Sequence, residues 1–363
     1  MLVIANLLAA IGMIVQYRLS PETAFRQLIL YGVGLLAMFV CIGLMHRHRI
    51  FRILNWPMIL GSLAILGVLL VVGKEQGGAK NWIKIGDFSF QPSEFVKVAL
   101  VFVSANYLTQ QKGWRDWLPS ALFAILACGL LVAERDLGAA LLIAGTYLIL
   151  FYTATGDVKA TLVGLGSGCV GAVASYFVFD HVRARVAIWQ NPWATYETSG
   201  YQIAQGLMAI ASGGLWGLGL TQGSPKSIPA YNTDYIFAVI CEEFGIIFGI
   251  AVIALYLVFI IRGALVALYA RDRYLMLVAF GCTVLITLQS FIIIGGVIKL
   301  IPLTGITMPF VSHGGSSLIA SLMLLGILEG VAMRNGDMLE DAMDAALEED
   351  RRISRQEGGE HAG

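Results

Sequence analysis

Predominantly apolar runs of about 20 residues recur along this chain, and each is long enough for a helix to cross the hydrocarbon core of a bilayer. Apolar side chains make up 58% of the 363 residues and charged side chains only 13%. A soluble chain is usually about half apolar and about a quarter charged, so this one lacks the polar surface that contact with water on all sides requires. The sequence therefore predicts an all-α integral membrane protein.

The apolar runs predict about ten transmembrane helices. The fourth is the least regular, because Glu94 and Lys97 lie at its start. Pro302 and Pro309 interrupt the apolar segment before the tenth, and non-helical backbone at membrane depth is tolerated only inside protein or beside a wet cavity. We therefore expect a re-entrant segment there. The predicted spans are residues 1–17, 27–45, 53–73, 95–110, 117–133, 137–156, 160–179, 237–261, 274–298 and 314–333.

The distribution of basic residues predicts the orientation, since short cytoplasmic loops of membrane proteins collect Lys and Arg. This pattern places both termini in the cytoplasm. The short basic loops lie near residues 46–52, 112–115, 159 and 262–273.

Two larger loops, at about 74–94 and 180–236, then lie on the extracytoplasmic side. Loops of this size, rich in Gly, aromatic and charged residues, are where a membrane enzyme carries its chemistry. Residues 1–333 form one polytopic membrane domain in this prediction. The charged tail 334–363 is a cytoplasmic and partly disordered extension.

The charge balance and the cysteines argue against two other classes of protein. Basic and acidic side chains are equal at 24 each, which is not typical of a nucleic-acid-binding protein. The five cysteines lie in apolar stretches, and no two are close enough for a Cys-x-x-Cys pair. We therefore expect neither a disulfide framework nor a cysteine metal site.

Charged residues near the fourth span are the first candidates for a functional site. Glu94 and Lys97 are three positions apart and share one face of a helix. They either neutralise each other and hold helices together or line a polar cavity. Lys80 and Lys84 flank Trp82, where interfacial anchoring by the tryptophan and anion binding by the lysines fit the sequence equally well.

A second cluster, Glu134-Arg135-Asp136, lies between two apolar spans with almost no loop. A turn this tight must emerge at the outer surface, where the simplest interpretation is that its charges are solvated. The alternative is a structural or catalytic network within a cavity.

The loop at 180–236 contains a third group. Arg183 and Arg185 lie near the predicted outer interface, and the planar fork of donors on a guanidinium suits phosphate recognition. Asp234 immediately precedes an apolar helix, where it is either the N-cap of that helix or a catalytic carboxylate. The two roles are not exclusive.

The interrupted segment at 302–317 contains a fourth group, which includes Ser312, His313 and Ser316. No second His, Cys or carboxylate stands at ligand spacing from His313, so the sequence gives little support to a metal cage there.

Several motifs, in this order from about residue 78 to 334, together resemble the SEDS family, which includes the RodA, FtsW and SpoVE proteins. The last motif is the most diagnostic single string. The motifs are Gly78-Ala79-Lys80-Asn81-Trp82-Ile83, Gln91-Pro92-Ser93-Glu94-Phe95-Val96-Lys97, Asp136-Leu137-Gly138-Ala139-Ala140-Leu141, Tyr201-Gln202-Ile203, Ser212-Gly213-Gly214, Thr233-Asp234-Tyr235-Ile236-Phe237-Ala238, Glu242-Glu243-Phe244-Gly245, and Pro302-Leu303-Thr304-Gly305 through Ser312-His313-Gly314-Gly315-Ser316-Ser317.

The resemblance implies a peptidoglycan glycosyltransferase of the bacterial cell membrane. Such an enzyme polymerises lipid II into glycan strands at the outer face, with release of undecaprenyl diphosphate, during elongation, division or sporulation. A class B penicillin-binding protein is the implied partner and crosslinks the strands. Three departures, at Asn81, Asn232 and His313, blur the assignment among the branches of the family, and the short loop before Asp234 favours an FtsW-like member slightly.

The resemblance also assigns site residues. Asp234 matches the essential aspartate of the family and is the expected catalytic residue, while Glu94, Lys97 and Asp136 match its polar cavity. The other residues that we expect to line the cavity or bind substrate are Lys80, Lys84, Arg183, Arg185, Gln202, Thr233, Ser312 and Ser316.

Polymerisation of lipid II makes two chemical demands. A base must take the proton of the attacking 4-hydroxyl, and a cation must stabilise the departing diphosphate. We expect Asp234 to be that base, or to bind a divalent cation such as Mg²⁺ or Mn²⁺. A lipid II flippase is the main alternative, but it needs a polar path into the cytoplasmic half. A scaffold that only docks the penicillin-binding protein would leave the charges at membrane depth unexplained.

Overall fold

The computed structural model describes residues 1–47, 49–76, 79–85, 88–110 and 113–336. The side chains at 75, 76, 84, 85 and 88 also lie outside the described part. Most of the tail predicted at 334–363 is outside it as well.

The described part is almost entirely helical. The helices are α1 (Leu2–Leu19), α2 (Pro21–His46), α3 (Arg49–Ile53), α4 (Asn55–Val72), α5 (Ser93–Thr109), α6 (Trp114–Ala133), α7 (Leu137–Thr155), α8 (Val158–Val178), α9 (Asp180–Gln190), α10 (Tyr201–Gly213), α11 (Ile236–Tyr269), α12 (Arg273–Val297) and α13 (Gly315–Gly336). Short 3₁₀ turns occupy Pro192–Thr195 and Pro225–Ser227.

Nine of these helices are long and apolar enough to cross a membrane, and they match nine of the ten predicted spans within the described residues. The chain is therefore a multi-pass membrane protein. The remaining prediction, at 95–110, corresponds to α5, which has 17 residues and carries Glu94 and Lys97 in its first two turns. Helix α2 begins earlier than predicted, because the Ser20 side chain accepts a hydrogen bond from the Thr23 amide and Pro21 suits the first turn.

The loop predicted at 74–94 folds into a small antiparallel sheet. Its strands are β1 (Lys74–Gln76), β2 (Ala79–Ile85) and β3 (Phe88–Phe90), in the order β1-β2-β3. Trp82 pairs with Lys74, and Ile83 pairs with Phe90. The Lys80 amide of β2 donates to the Glu134 carbonyl at 2.9 Å, which attaches the sheet to the turn between α6 and α7.

Within the predicted loop 180–236, α10 packs alongside the first part of α11. A Cβ on Gly206 would meet the Tyr235 ring, and one on Gly213 would meet the Cys241 carbonyl, so the two helices run in the same direction. Because the helices are parallel, the segment from the end of α10 to Asp234 must run antiparallel to both helices to reach the start of α11. This return segment ends at Asp234.

Helix α11 is broken at Gly245, whose φ of 88° and ψ of 166° are not helical. A Cβ there would lie 2.3 Å from the Leu215 carbonyl oxygen, so glycine alone permits this approach. Helix α11 is thus two helical segments joined at the point where the loop after α10 meets it.

The segment predicted to be re-entrant is non-helical from Pro302 to Gly314. Its carbonyl groups bond to side chains of surrounding helices, as backbone buried at membrane depth requires. The Gln16 amide donates to Val311 O at 2.9 Å, the Gln27 amide to Ser312 O at 3.1 Å, and the Tyr256 hydroxyl to Pro309 O.

The core lies where α5, α7, α11 and α12 pack together. Most residues of α12 are buried, whereas α8 contributes none to the interior of the described molecule. Helix α8 is therefore peripheral, and α12 is the central helix of the bundle.

Candidate active site

A polar cavity of about 390 Å³ opens among the starts of α5, α7 and α11, the sheet, and the segment before α13. The three helix starts converge there because every second span begins on the same side of the bundle. Six of the predicted site residues line its wall: Glu94, Lys97, Asp136, Arg185, Thr233 and Asp234.

Asp234 is a half-buried carboxylate at the end of the return segment. It is not the cap of α11, whose N-cap residue is Tyr235. Removal from water raises the pKa of Asp234 to about 6, although a hydrogen bond from Thr233 and the charge of Arg185 both lower it. A carboxylate with this pKa is ionised at neutral pH and basic enough to accept a proton.

Arg185 brings a positive charge to the same cavity from α9. Its Nη1 donates to the Thr304 carbonyl at 3.2 Å, which fixes the guanidinium against the segment before α13. Burial lowers the pKa of Arg185, and the negative charges of Asp136 and Asp234 partly offset this by favouring its charged form. A carboxylate and a guanidinium therefore face one space.

Asp136 organises the opposite wall of the cavity. Its Oδ1 accepts from the Ala139 amide at 3.0 Å and so caps α7. Its Oδ2 accepts from Asn81 at 2.6 Å, from Gln91 at 3.3 Å and from Ser93 at 3.4 Å. One carboxylate thus joins the sheet, α5 and α7.

Glu94 and Lys97 form a buried ion pair at 2.7 Å, and both also line the cavity, so both interpretations of the sequence hold. The Lys97 ammonium also donates to Gln289 Oε1 of α12 at 3.2 Å. Gln289 in turn donates to the Thr307 carbonyl at 2.9 Å. This chain of polar contacts links α5 and α12 to the re-entrant segment beneath the cavity.

Ser312 and His313 hold the backbone that presents Asp234. The Ser312 hydroxyl donates to the Thr233 carbonyl at 2.7 Å and accepts from the Met308 amide at 2.8 Å. The His313 amide donates to the Asn232 carbonyl at 2.9 Å. Two consecutive carbonyl groups before Asp234 are therefore clamped by the segment before α13.

Ser312 and Ser316 are buried behind the cavity wall, and neither lines the cavity. Ser316 accepts a hydrogen bond from the Gln91 amide at 3.0 Å. Both hydroxyl groups therefore connect elements of the wall.

Four other predicted residues also lie away from the cavity or beyond description. Lys80 is exposed on β2, and the Lys84 side chain is outside the described part. Arg183 is exposed, with its guanidinium 3.6 Å from Asp180. The Gln202 side chain donates to the Pro229 carbonyl at 3.1 Å and so supports the return segment.

The sequence did not single out several residues that the structure places at the site. Asn81 and Gln91 hold Asp136, and Gln289 holds Lys97. The sequence did contain an indication for Gln289, because an isolated polar amide within an apolar span needs a hydrogen-bond partner inside the protein. Asn81 and Gln91 appeared within motifs of the family resemblance, but neither was predicted to be a site residue.

Glu134 and Asp136 are buried whereas Arg135 is exposed, so solvation accounts only for the arginine of this cluster. Neither carboxyl oxygen of Glu134 meets a hydrogen-bond partner among the described residues. Burial, with a further contribution from the charge of Asp136, raises the pKa of Glu134 to about 8. The group is therefore mainly neutral at pH 7, while Asp136 beside it belongs to the cavity.

Within the described part of the chain, no three His, Cys, Asp or Glu side chains come together as metal ligands. A cage made only of protein groups is therefore not formed there. A Mg²⁺ ion bound to substrate phosphates needs only one or two protein carboxylates, a requirement that Asp234 can meet.

Comparison with known sequences identifies the relatives of this chain. The family profile described as Cell cycle protein, covering FtsW, RodA and SpoVE, matches residues 1–336. Peptidoglycan glycosyltransferase RodA of Mycobacterium tuberculosis is 35% identical, over 92% of this chain and 77% of that protein. Stage V sporulation protein E of Bacillus subtilis is also 35% identical, over 92% and 96% of the two chains. A probable peptidoglycan glycosyltransferase FtsW of Geobacter metallireducens is 32% identical, over 92% and 94%.

Solved structures share the fold. A chain from a peptidoglycan synthase complex, studied for its coordination of polymerization and crosslinking, superposes with a TM-score of 0.80 at 28% identity, covering 92% of this chain and 97% of that one. The Thermus thermophilus rod shape determining protein RodA gives a TM-score of 0.69 at 26% identity, covering 92% and 96%. With the family profile spanning the membrane domain, these matches show that the chain belongs to the FtsW, RodA and SpoVE family of cell cycle proteins.

Proposed function

We propose that this protein is a peptidoglycan glycosyltransferase that polymerises lipid II into glycan strands. The curated names of its relatives support the activity, because RodA and FtsW homologues at 32–35% identity carry that name. The observation that carries the assignment to a site is the meeting of Asp234 and Arg185 in one cavity. The carboxylate can accept the proton of the attacking hydroxyl, and the guanidinium can stabilise the departing diphosphate.

In the proposed reaction, the 4-hydroxyl of one sugar attacks the anomeric carbon of a sugar on undecaprenyl diphosphate. The new carbon–oxygen bond forms as the bond to the diphosphate breaks, and the electron pair leaves with the diphosphate. The proton of the hydroxyl passes to Asp234, which its pKa of about 6 keeps ionised at neutral pH.

Arg185 is the favoured group for the departing diphosphate. A guanidinium forms paired hydrogen bonds with phosphate oxygens, and this one already lies against the cavity. Lys97 also lines the cavity, but its ammonium is held by Glu94 and Gln289. Its proposed role is structural: through Gln289 it fixes the position of the segment before α13 that lines the cavity.

A divalent cation is a further proposal for the same site. Asp234, together with diphosphate oxygens of the substrate, would bind Mg²⁺ or Mn²⁺ there. Such an ion would neutralise charge on the leaving diphosphate.

We place the cavity on the extracytoplasmic face and both termini in the cytoplasm. The basic loops of the sequence support this orientation. The starts of α5, α7 and α11 share one side of the bundle, as the orientation requires.

We propose a class B penicillin-binding protein as the partner. The support is the structural match to a chain of a peptidoglycan synthase complex that coordinates polymerization and crosslinking. In this proposal the partner carries out the crosslinking step.

Polymerisation of labelled lipid II by the purified protein tests the function. The protein is assayed alone and with candidate class B partners, and with Mg²⁺, Mn²⁺ or chelator, with glycan length read on a gel. Loss of a general base costs about 10²–10⁴ in rate, so Asp234→Asn should give correspondingly less polymer. Arg183→Gln is the matched control, since Arg183 is exposed and lies away from the cavity.

Polymer formed at the parental rate by Asp234→Asn would contradict the catalytic assignment. An absence of polymer with every partner and cation, while lipid II crosses the membrane of reconstituted vesicles, would favour the flippase. Along α5 the lining of this cavity ends at Lys97, within the first two turns of the helix, which supports the polymerase over the flippase.

A further inference from the structure

The loop after α10 exposes four large apolar side chains side by side. The exposed fractions are 61% for Leu215, 80% for Trp216, 44% for Leu218 and 45% for Leu220. We refer to residues 215–220 as the Leu/Trp tip. A cluster of this kind on one short loop normally marks a contact surface.

The backbone of the Leu/Trp tip is fixed to α11. The Leu218 and Gly219 amides donate to the carbonyls of Glu242 and Glu243, both at 2.9 Å. In return, the Ile247 amide donates to the Leu215 carbonyl at 3.3 Å. These bonds use carbonyl and amide groups that the break at Gly245 frees from the helix, so the tip is held at one height along α11.

The height of the tip relative to the membrane follows from two spans. Beyond the break, α11 continues from Ile246 to Tyr269, and these 24 residues extend about 36 Å, more than the roughly 30 Å of a bilayer core. The run from Ile246 to Ile261 is free of charged residues and is followed by Arg262. Its length of about 24 Å fits within the core, which puts Gly245 close to the outer edge.

Helix α1 gives the same height independently. Its 18 residues span about 27 Å, so Arg18, in its last turn, also lies near a core boundary. The Arg18 Nε is 2.6 Å from Glu243 Oε1, and its Nη2 donates to the Gly223 carbonyl at 3.0 Å. The end of α1, the break in α11 and the tip are therefore level with one another.

We propose that the Leu/Trp tip is a membrane-contact element that inserts its apolar side chains into the outer leaflet at the level of the lipid headgroups and upper acyl chains. Trp is favoured at this depth because its ring is apolar and its indole N–H finds polar partners. The leucines add apolar area beside it. A lipid surface is the chosen occupant because the tip lies at the membrane boundary.

Site-specific labelling in lipid nanodiscs tests the proposal. Trp216→Cys carries a fluorescent label in the full chain, in a background where the native cysteines are replaced by alanine. Glu197→Cys, exposed near the start of α10, is the aqueous control, and Val173→Cys, exposed on α8, is the lipid control. Each labelled protein is quenched either by iodide in water or by a lipid bearing a nitroxide near the top of its acyl chain.

We expect the label at 216 to be quenched strongly by the nitroxide lipid and several-fold less by iodide than the label at 197. Because Trp216 is mostly exposed, its replacement should leave the fold and the basal polymerase rate unchanged. Equal iodide quenching at 216 and 197, with no quenching by the nitroxide lipid, would overturn the proposal. Shielding at 216 that arises only when a penicillin-binding protein is added would overturn it as well, in favour of a protein contact.

Discussion

At the scale of single residues, the protonation state of Asp234 sets the expected pH dependence. Burial raises the pKa of this carboxyl to about 6. Below that pH the carboxyl carries a proton and cannot accept another, so kcat/KM should fall about tenfold per pH unit. A pH profile of polymerisation from 4.5 to 8 measures this.

The residual activity of Asp234→Asn is the control, since it should show no acid limb near pH 6. An acid limb near pH 4 in the parent protein would mean that the carboxyl is solvated like an ordinary aspartate.

Ser312 is the residue whose role differs most from the expectation. Its hydroxyl bonds to the Thr233 carbonyl and the Met308 amide, and Ser312 itself does not line the cavity. Loss of a buried partner costs about 1–3 kcal/mol, so Ser312→Ala should lower kcat by about tenfold or more. The KM for lipid II should change little, because the binding wall stays intact.

Steady-state kinetics of Ser312→Ala and Ser312→Thr check this positioning role. The threonine variant keeps the hydroxyl and should recover most of the kcat. Parental kcat in the alanine variant would show that the clamp on Thr233 is not needed.

At the scale of elements, the spans were predictable and their irregularities were not. Length and hydropathy identify the spans because each must cover the bilayer with apolar side chains. Gly245 stands between the Glu242-Glu243 pair and an apolar run, and the cause of the break there, the approach of Leu215, comes from a different element. The strands β1 and β3 are only three residues each, too short to show an alternating pattern.

In the site, too, features that depend on contacts between different elements could not be predicted from the sequence. Glu94 and Asp136 are recognisable because charges near membrane spans must have a reason to be there, whereas the catalytic expectation for Asp234 came from the family resemblance of its motif. The clamp by Ser312 and the linkage through Gln289 depend on contacts between distant parts of the chain, which residue type alone does not indicate.

The break in α11 predicts a strong asymmetry between two glycine substitutions. Gly245→Ala must place a Cβ at positive φ and 2.3 Å from the Leu215 carbonyl oxygen, so we expect it to destabilise the protein by about 2 kcal/mol or more. Thermal unfolding in detergent should show a lower midpoint.

Gly166→Ala in α8 is the matched control. A Cβ there meets nothing within 4 Å, and alanine favours a helix over glycine by about 1 kcal/mol. Its unfolding midpoint should be unchanged or higher. A midpoint for Gly245→Ala equal to that of the parent would mean that α11 is continuous in the folded protein.

At the scale of the whole molecule, the proposed orientation assigns each loop to one side of the membrane. Glu197 lies on the cavity side, and the exposed Arg271 lies between α11 and α12 on the other. In a cysteine-free background, a membrane-impermeant maleimide should label Glu197→Cys in intact spheroplasts. Arg271→Cys should react only after the membrane is permeabilised.

Equal reaction of both variants in intact spheroplasts would contradict the orientation. The reverse pattern would place the cavity in the cytoplasm and remove the argument for an extracytoplasmic polymerase.

The clamp on the Asp234 backbone also has a consequence for the order in which the protein is made. Ser312 follows Thr233 by 79 positions, and the ribosome synthesises it just before the last span. A nascent chain that has already inserted α11 and α12 therefore lacks the hydrogen bond from Ser312 that holds the backbone before Asp234. If Asp234 is the catalytic base as proposed, we expect chains that end before Ser312 to insert into the membrane without polymerising lipid II.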